Sequence, residues 1–184
     1  TAMVHLLNNL VKMTLNYKNT NWKIGLVFIT TAIPFALIGS NLFKWLYIQP
    51  SSLSFQIGSW NFATPLFKIF IGLMMILFAI FEWLPENKKP TFSSQWLLLG
   101  GALSGFFGGL SGHQGALRSA FFIRTEMTKN QIIATGIIVA CCIDITRLFI
   151  YPIQWQWLME GYYTHWIWLA LLGATIGSLL GQFF

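Results

Sequence analysis

Charge is what this sequence has least of. Its 184 residues include 11 Lys and Arg, 5 Asp and Glu and 3 His, so only 9% are charged. A water-soluble domain carries about a quarter. With 55% hydrophobic residues and a mean hydropathy of +0.63, too few charges remain to cover a water-facing surface. That excludes an ordinary soluble domain and points to an integral membrane protein. Cysteine is nearly absent as well. Cys141 and Cys142 are adjacent in an apolar run. Helix neighbours point about 100° apart, so this pair is neither an ordinary disulfide nor a metal-ligand spacing. The basic residues are scattered between apolar stretches, which excludes a nucleic-acid-binding stripe. No metal, nucleotide or haem site is expected, and no cofactor. A charged leader is also missing: Thr1 already lies in an apolar run and Phe184 ends one. Both ends are therefore expected to be cuts through a longer membrane domain.

What is present is a series of apolar segments: 1–15, 24–43, 66–84, 95–110, 115–124, 130–151 and 165–184. Crossing a bilayer takes about 20 apolar residues. The fourth and fifth are short, and the stretch GGLSGHQGALRSAFF (108–122) joins them. Two half-helices meeting at a broken loop fit better than two full spans. Irregular backbone at membrane depth is tolerated only inside protein or beside a water-filled cavity. Glycine permits such a turn, because it accepts positive φ. The fold expected is thus all-α: a polytopic transmembrane helical bundle with a re-entrant, glycine-rich helical hairpin, in a single transmembrane domain over 1–184. Pro34 is expected to kink its helix by removing a backbone donor.

If the hairpin enters and leaves by one face, the connections near 16–23, 85–94 and 125–129 share one side. With their flanks they carry Lys12, Lys18, Lys23, Lys88, Lys89, Arg124 and Lys129. The opposite connections, near 44–65 and 152–164, have only Lys44 and Lys68 at their edges. Positive charge favours the cytoplasm, so the first group is expected there, in a multi-pass protein of the cell (inner or plasma) membrane. Trp45, Tyr47, Trp155, Trp157, Tyr162 and Tyr163 form an outward aromatic belt. Glu82 and Glu160 read as span-end charges.

A shift of 135 residues lays TAMVHLLNNLVKM (1–13) on GIIVACCIDITRL (136–148), so that Asn9 meets Asp144 and Lys12 meets Arg147. Both copies precede a span ending in small residues, PFALIGS (34–40) and ATIGSLLG (174–181). The copies cross in opposite directions under the topology above. This is the pattern of an inverted-repeat transporter with its site at the repeat interface. The first repeat covers 1–84 and the second 95–184.

The chemistry-bearing residues follow. A helix starting near Gly115 points free N–H groups into the broken loop, and helix N-termini attract anions. Arg118 lies one turn in, with a planar fork suited to oxyanions. Gly109, Ser111, Gly112, His113, Gln114 and Gly115 surround that point. The plainer reading is tight glycine packing and polar groups that satisfy the loop, with Arg118 reaching to the surface. Asp144 and Arg147 lie one turn apart. Charges within a span usually face a cavity or the bundle interior. Asp144 could carry a coupling proton and Arg147 meet an anion; otherwise the pair locks helices together. His5, Asn9 and Lys12 form a stripe on the first segment, where His5 reads as a packing residue and Lys12 also as a boundary charge. No residue is assigned a catalytic role.

GGALSGFFGGLSGHQGALRSAFFIR (100–124), ATGIIVACCIDITRLFIY (134–151) and TAMVHLLNNLVKMTLNYKNTNWKIG (1–25) resemble the sulfite exporter TauE/SafE family of membrane transporters. The resemblance covers most of the chain. It implies two related halves, each opening with a glycine-rich hairpin, of which the first hairpin and the final span would lie outside this sequence. It also implies secondary transport of small sulfur-containing anions such as sulfite, sulfonates or thiosulfate, with membrane lipid as the surroundings. The positions it places near the substrate are Gly109, Gly112 and Gly115, with Asn9 and Asp144 on the helices that follow. His113 and Gln114 interrupt the family's run of glycines.

Rival readings remain. GLSG (109–112) has the form of a rhomboid nucleophile, with His165 as a candidate base for Ser111. However, the bulky Trp166, Ile167 and Trp168 follow that histidine. An anion channel would also suit a dipole-lined hairpin, and a structural membrane subunit fits poorly with interior Arg and Asp.

Overall fold

The computed structural model describes residues 2–48, 52–57, 60–83, 94–150 and 164–181. Helix α1 (Ala2–Asn16) leads through a 3-10 turn (Tyr17–Asn19) into α2 (Trp22–Ile48). Strands β1 (Ser52–Ile57) and β2 (Trp60–Pro65) follow, then α3 (Leu66–Trp83), α4 (Ser94–Ser111), α5 (Gly115–Phe122), α6 (Lys129–Ile150) and α7 (Thr164–Leu180). Each expected apolar segment coincides with a helix. The all-α expectation needs correction at one point: β1 and β2 form an antiparallel hairpin, pairing Ser52 with Pro65 through Ile57 with Trp60. Leu53, Phe55 and Ile57 alternate there with Ser54 and Gln56, the period-2 pattern of a strand.

The 27 residues of α2 extend about 40 Å and the 22 of α6 about 33 Å, beyond the ~30 Å of a bilayer core. Both are apolar enough to cross. The 8 residues of α5 reach only about 12 Å, so α5 cannot cross alone. Local signals set the helix starts. Asn21 Oδ1 accepts from Ile24 N–H at 3.2 Å, capping α2. Thr128 and Gln131 exchange side-chain bonds with each other's backbone N–H at 3.4 and 3.0 Å, capping α6. Pro34 lies within α2, and the helix runs on to Ile48.

α6 is the central element, buried at most positions from Ala134 to Arg147. α1 packs along it on one side and α2 on another, while α7 rests against α1. Phe28, Ala32 and Ala36 of α2 meet Leu97, Phe122, Met127, Val139 and Ile143 in the core. The Phe28 and Phe122 rings meet edge to face, with centroids 4.8 Å apart.

The closest seam joins α2 to α4. A Cβ on Gly101 would run into the Phe28 carbonyl, one on Gly105 into Ala32 backbone, and one on Gly109 into Ala36 backbone. The three glycines and their three partners are each spaced by four, so one stripe faces the other along both helices. Ser40 Oγ donates to Gly109 O at 3.1 Å, buried, and Thr31 Oγ1 donates to Leu98 O at 2.8 Å. Small residues that let helix backbones touch are the usual glue between helices in lipid.

Candidate functional site

The break between α4 and α5 comes at Gly112, whose φ is +85°. A side chain is strained in that conformation, which explains glycine here. The chain then doubles back. A Cβ on Gly100 would meet the Phe121 ring, and Ser104 Oγ donates to Gln114 O at 3.4 Å. Gln114 is buried beneath the turn against Gly108 and Ile143, and its Oε1 has no hydrogen-bond partner among the described residues. His113 is exposed at the tip. Ser111 Oγ donates to Phe107 O at 3.1 Å and accepts from His113 N–H at 3.4 Å. The serine hydroxyl is thus engaged with backbone rather than with a base. The His165 side chain lies outside the described residues.

Arg147 closes over this turn. A Cβ on Gly112 would lie 2.7 Å from Arg147 Nη1. The same Nη1 donates to Asp144 Oδ1 at 3.3 Å, and Asn9 Nδ2 of α1 donates to Asp144 Oδ2 at 3.0 Å. Asp144 and Arg147 are 2% and 6% exposed, so this is an interior pair with its carboxylate shared between two helices. The chain Asn9–Asp144–Arg147–Gly112 therefore connects α1, α6 and the α4–α5 turn.

Arg118 takes another direction. It lies across from Gly136 of α6, where a Cβ would be 3.1 Å from Arg118 Nε. Its Nη1 is shielded from solvent and has no hydrogen-bond partner among the described residues. Arg118 lines a cavity of about 730 Å³ whose wall also includes Asn9, Lys12, Lys129 and Ser178. At about 30 Å³ per water, that is room for roughly twenty molecules. Among the described residues of the wall there is no carboxylate. Lys12 Nζ lies 3.3 Å from the Asn8 amide oxygen, once that amide is turned so that its nitrogen donates to Ala174 O of α7 at 3.3 Å. This contact of Lys12 is with a neutral amide.

The residues named from the sequence divide into three groups. Asn9, Asp144, Arg147 and Gly112 come together. Arg118 and Lys12 come together on the cavity, which Asn9 also reaches. Gly109 belongs to the seam with α2, where it packs on Ala36, and Gly115 is exposed, with nothing within 4 Å of a Cβ placed on it. Arg118 and Arg147 therefore do not converge on one point at the hairpin tip. Lys129 and Asn130 reach the cavity wall unannounced. Lys129 had the marks of a span-end charge, and the signal that sets it apart is its place beside the capped start of α6. Among the described residues no group of His, Cys, Asp and Glu has the arrangement of a metal site.

Comparison with curated proteins and with solved structures yields no match. The family described as Sulfite exporter TauE/SafE matches residues 1–184, throughout the helices, the glycine turn and the cavity described above. The chain belongs to that family of membrane transporters.

Proposed function

We propose that the protein is a secondary carrier for small sulfur-containing anions, among them sulfite, sulfonates and thiosulfate, working by alternating access. The observation that carries this reading is Arg118: among the described residues its shielded Nη1 has no hydrogen-bond partner, and the cavity of about 730 Å³ that it lines has no carboxylate in its wall. A charge at membrane depth needs a partner, and an arginine fork matches an oxyanion. In this reading α4 and α5 enter and leave by the cytoplasmic face. The basic connections lie on that face, and the Gly112 turn sits near midplane under Arg147.

The Asn9–Asp144 bond supports an inverted repeat. The two residues are 135 apart, which is the shift that aligns the two sequence copies. In this reading, residues that touch their own counterparts lie beside a pseudo-two-fold axis relating the copies. One repeat would rock against the other about this contact, as in carriers built from inverted halves. In this reading Asp144 carries a coupling proton, and Arg147 holds the turn closed until the carboxylate releases it; the Asn9–Asp144 and Asp144–Arg147 bonds support it.

The test is labelled-sulfite counterflow in proteoliposomes containing the protein, with Arg118→Ala alongside. A carrier shows saturable counterflow, and the variant loses it. Flux without counterflow or saturation would make the protein an anion channel and overturn the carrier reading.

A further inference from the structure

The cavity has a polar rim that the carrier reading leaves unused. α1 contributes Lys12 and Asn16 near its end, and α6 contributes Lys129 and Asn130 at its start. We propose that Lys12 and Lys129, flanked by Asn16 and Asn130, form an anion-capture site at the mouth of the cavity, distinct from Arg118 deeper in. This rests on the reading of the protein as an anion carrier. Two observations support it. Both lysines line the same cavity as Arg118, and among the described residues no acid lines it with them. The acid nearest in sequence, Glu126, is exposed on the turn before α6 and is not part of the wall. The contact found for Lys12 is the neutral Asn8 amide.

The helix geometry adds a fixed field. α6 begins at Lys129 and runs 22 residues, so its N-terminal dipole adds partial positive charge at the rim. The capping exchange between Thr128 and Gln131 holds that first turn in place. A low-dielectric cavity with one sign of charge focuses its field outward and raises the local concentration of the opposite ion. The ligand class is a small anion, held loosely by two ammonium groups and two amides and then passed to the fork of Arg118. Lysine suits the outer role because it is a flexible point charge, and arginine the inner one because it is directional. Capture of this kind acts on the rate of encounter, so it should appear in KM and in salt sensitivity rather than in the maximal rate.

The probe is a cysteine at the rim, Asn130→Cys, in a Cys141→Ala, Cys142→Ala background. Its reaction with an anionic methanethiosulfonate is compared with that of a cationic one, each normalised to a free thiol. The expected ratio favours the anionic reagent by about tenfold at low salt and falls toward one in Lys12→Gln, Lys129→Gln. Salt should collapse the ratio in the parent and leave it little changed in the double variant. Sulfite counterflow in the double variant should show a KM raised about tenfold, with Lys129→Arg restoring it. A reagent ratio that ignores both lysines overturns the capture site even if sulfite counterflow is intact. A ratio that follows the lysines, in a protein that moves no sulfite, leaves the capture site standing and removes the carrier reading beneath it.

Discussion

Two helices in this protein carry glycine at every fourth residue, and their surroundings are opposite. On α4, Gly101, Gly105 and Gly109 are closed against the backbone of α2. On α7, Gly173 and Gly177 have nothing among the described residues within 4 Å of an added Cβ, and Gly181, just past its end, meets only the carbonyls of Gly177 and Ser178. Each helix also faces a Gly–Ser pair or carries one. Ser40, beside Gly39 on α2, bonds to Gly109 O in the buried seam. Gly177 and Ser178 on α7 line the cavity. The same spacing thus serves contact in one place and open volume in the other. A small-residue stripe fixes how near a neighbour can come; the neighbour decides whether that nearness is used.

The comparison breaks most sharply at Gly105. Gly105→Leu forces the α2–α4 seam apart at Ala32, and overpacking of this kind costs about 3 kcal/mol or more. Thermal unfolding in detergent should show a large drop or no folded protein, whereas Gly173→Leu should unfold near the parent's temperature. Equal losses in the two variants would mean that the α7 face is also closed. Gly112→Ala comes next. The positive φ costs about 1–2 kcal/mol in any L-residue, and the new methyl also displaces Arg147. Gly115→Ala, three residues on, should be neutral or slightly stabilising, since its Cβ meets nothing and glycine is a poor helix former.

How much of this was legible beforehand depends on how local the cause is. The helices could be read from apolar length, and the α4–α5 break from the glycines of GGLSGHQG. Gly112 could be named because a turn needs positive φ somewhere in that run. The β1–β2 hairpin goes unread: Leu53, Phe55 and Ile57 alternate there, but the stretch lies between two spans and reads as a connection. The direction of Arg118 was not legible. Its long side chain lies against Gly136, a residue on another helix, and no local pattern connects the two. Gly109 and Gly115 look alike in sequence, yet one is packed in a seam and the other is exposed. Asn9 and Asp144 could be aligned as repeat equivalents; that they bond to each other emerges only from how α1 lies on α6.

Smaller effects sharpen the same contrast. Ser40→Ala removes a buried hydroxyl from Gly109 O and should cost about 1 kcal/mol, read as a lower unfolding midpoint. Ser178→Ala removes a cavity-lining hydroxyl that donates to Thr175 O of its own helix at 2.9 Å. It should change stability by less than about 0.5 kcal/mol. A Ser178 variant as costly as the Ser40 variant would show that the α7 face is packed rather than open.

The central claim is that Arg118, whose Nη1 has no hydrogen-bond partner among the described residues, binds an anion on a cation-lined cavity. Equilibrium binding of radiolabelled sulfite to the purified protein, beside Arg118→Gln, tests it most directly. The account predicts saturable binding in the parent, competed by other small sulfur oxyanions and weakened at least tenfold in the variant, the loss expected when a charge-assisted contact is removed. Saturable binding that Arg118→Gln leaves unchanged would contradict it and move the site away from the cavity.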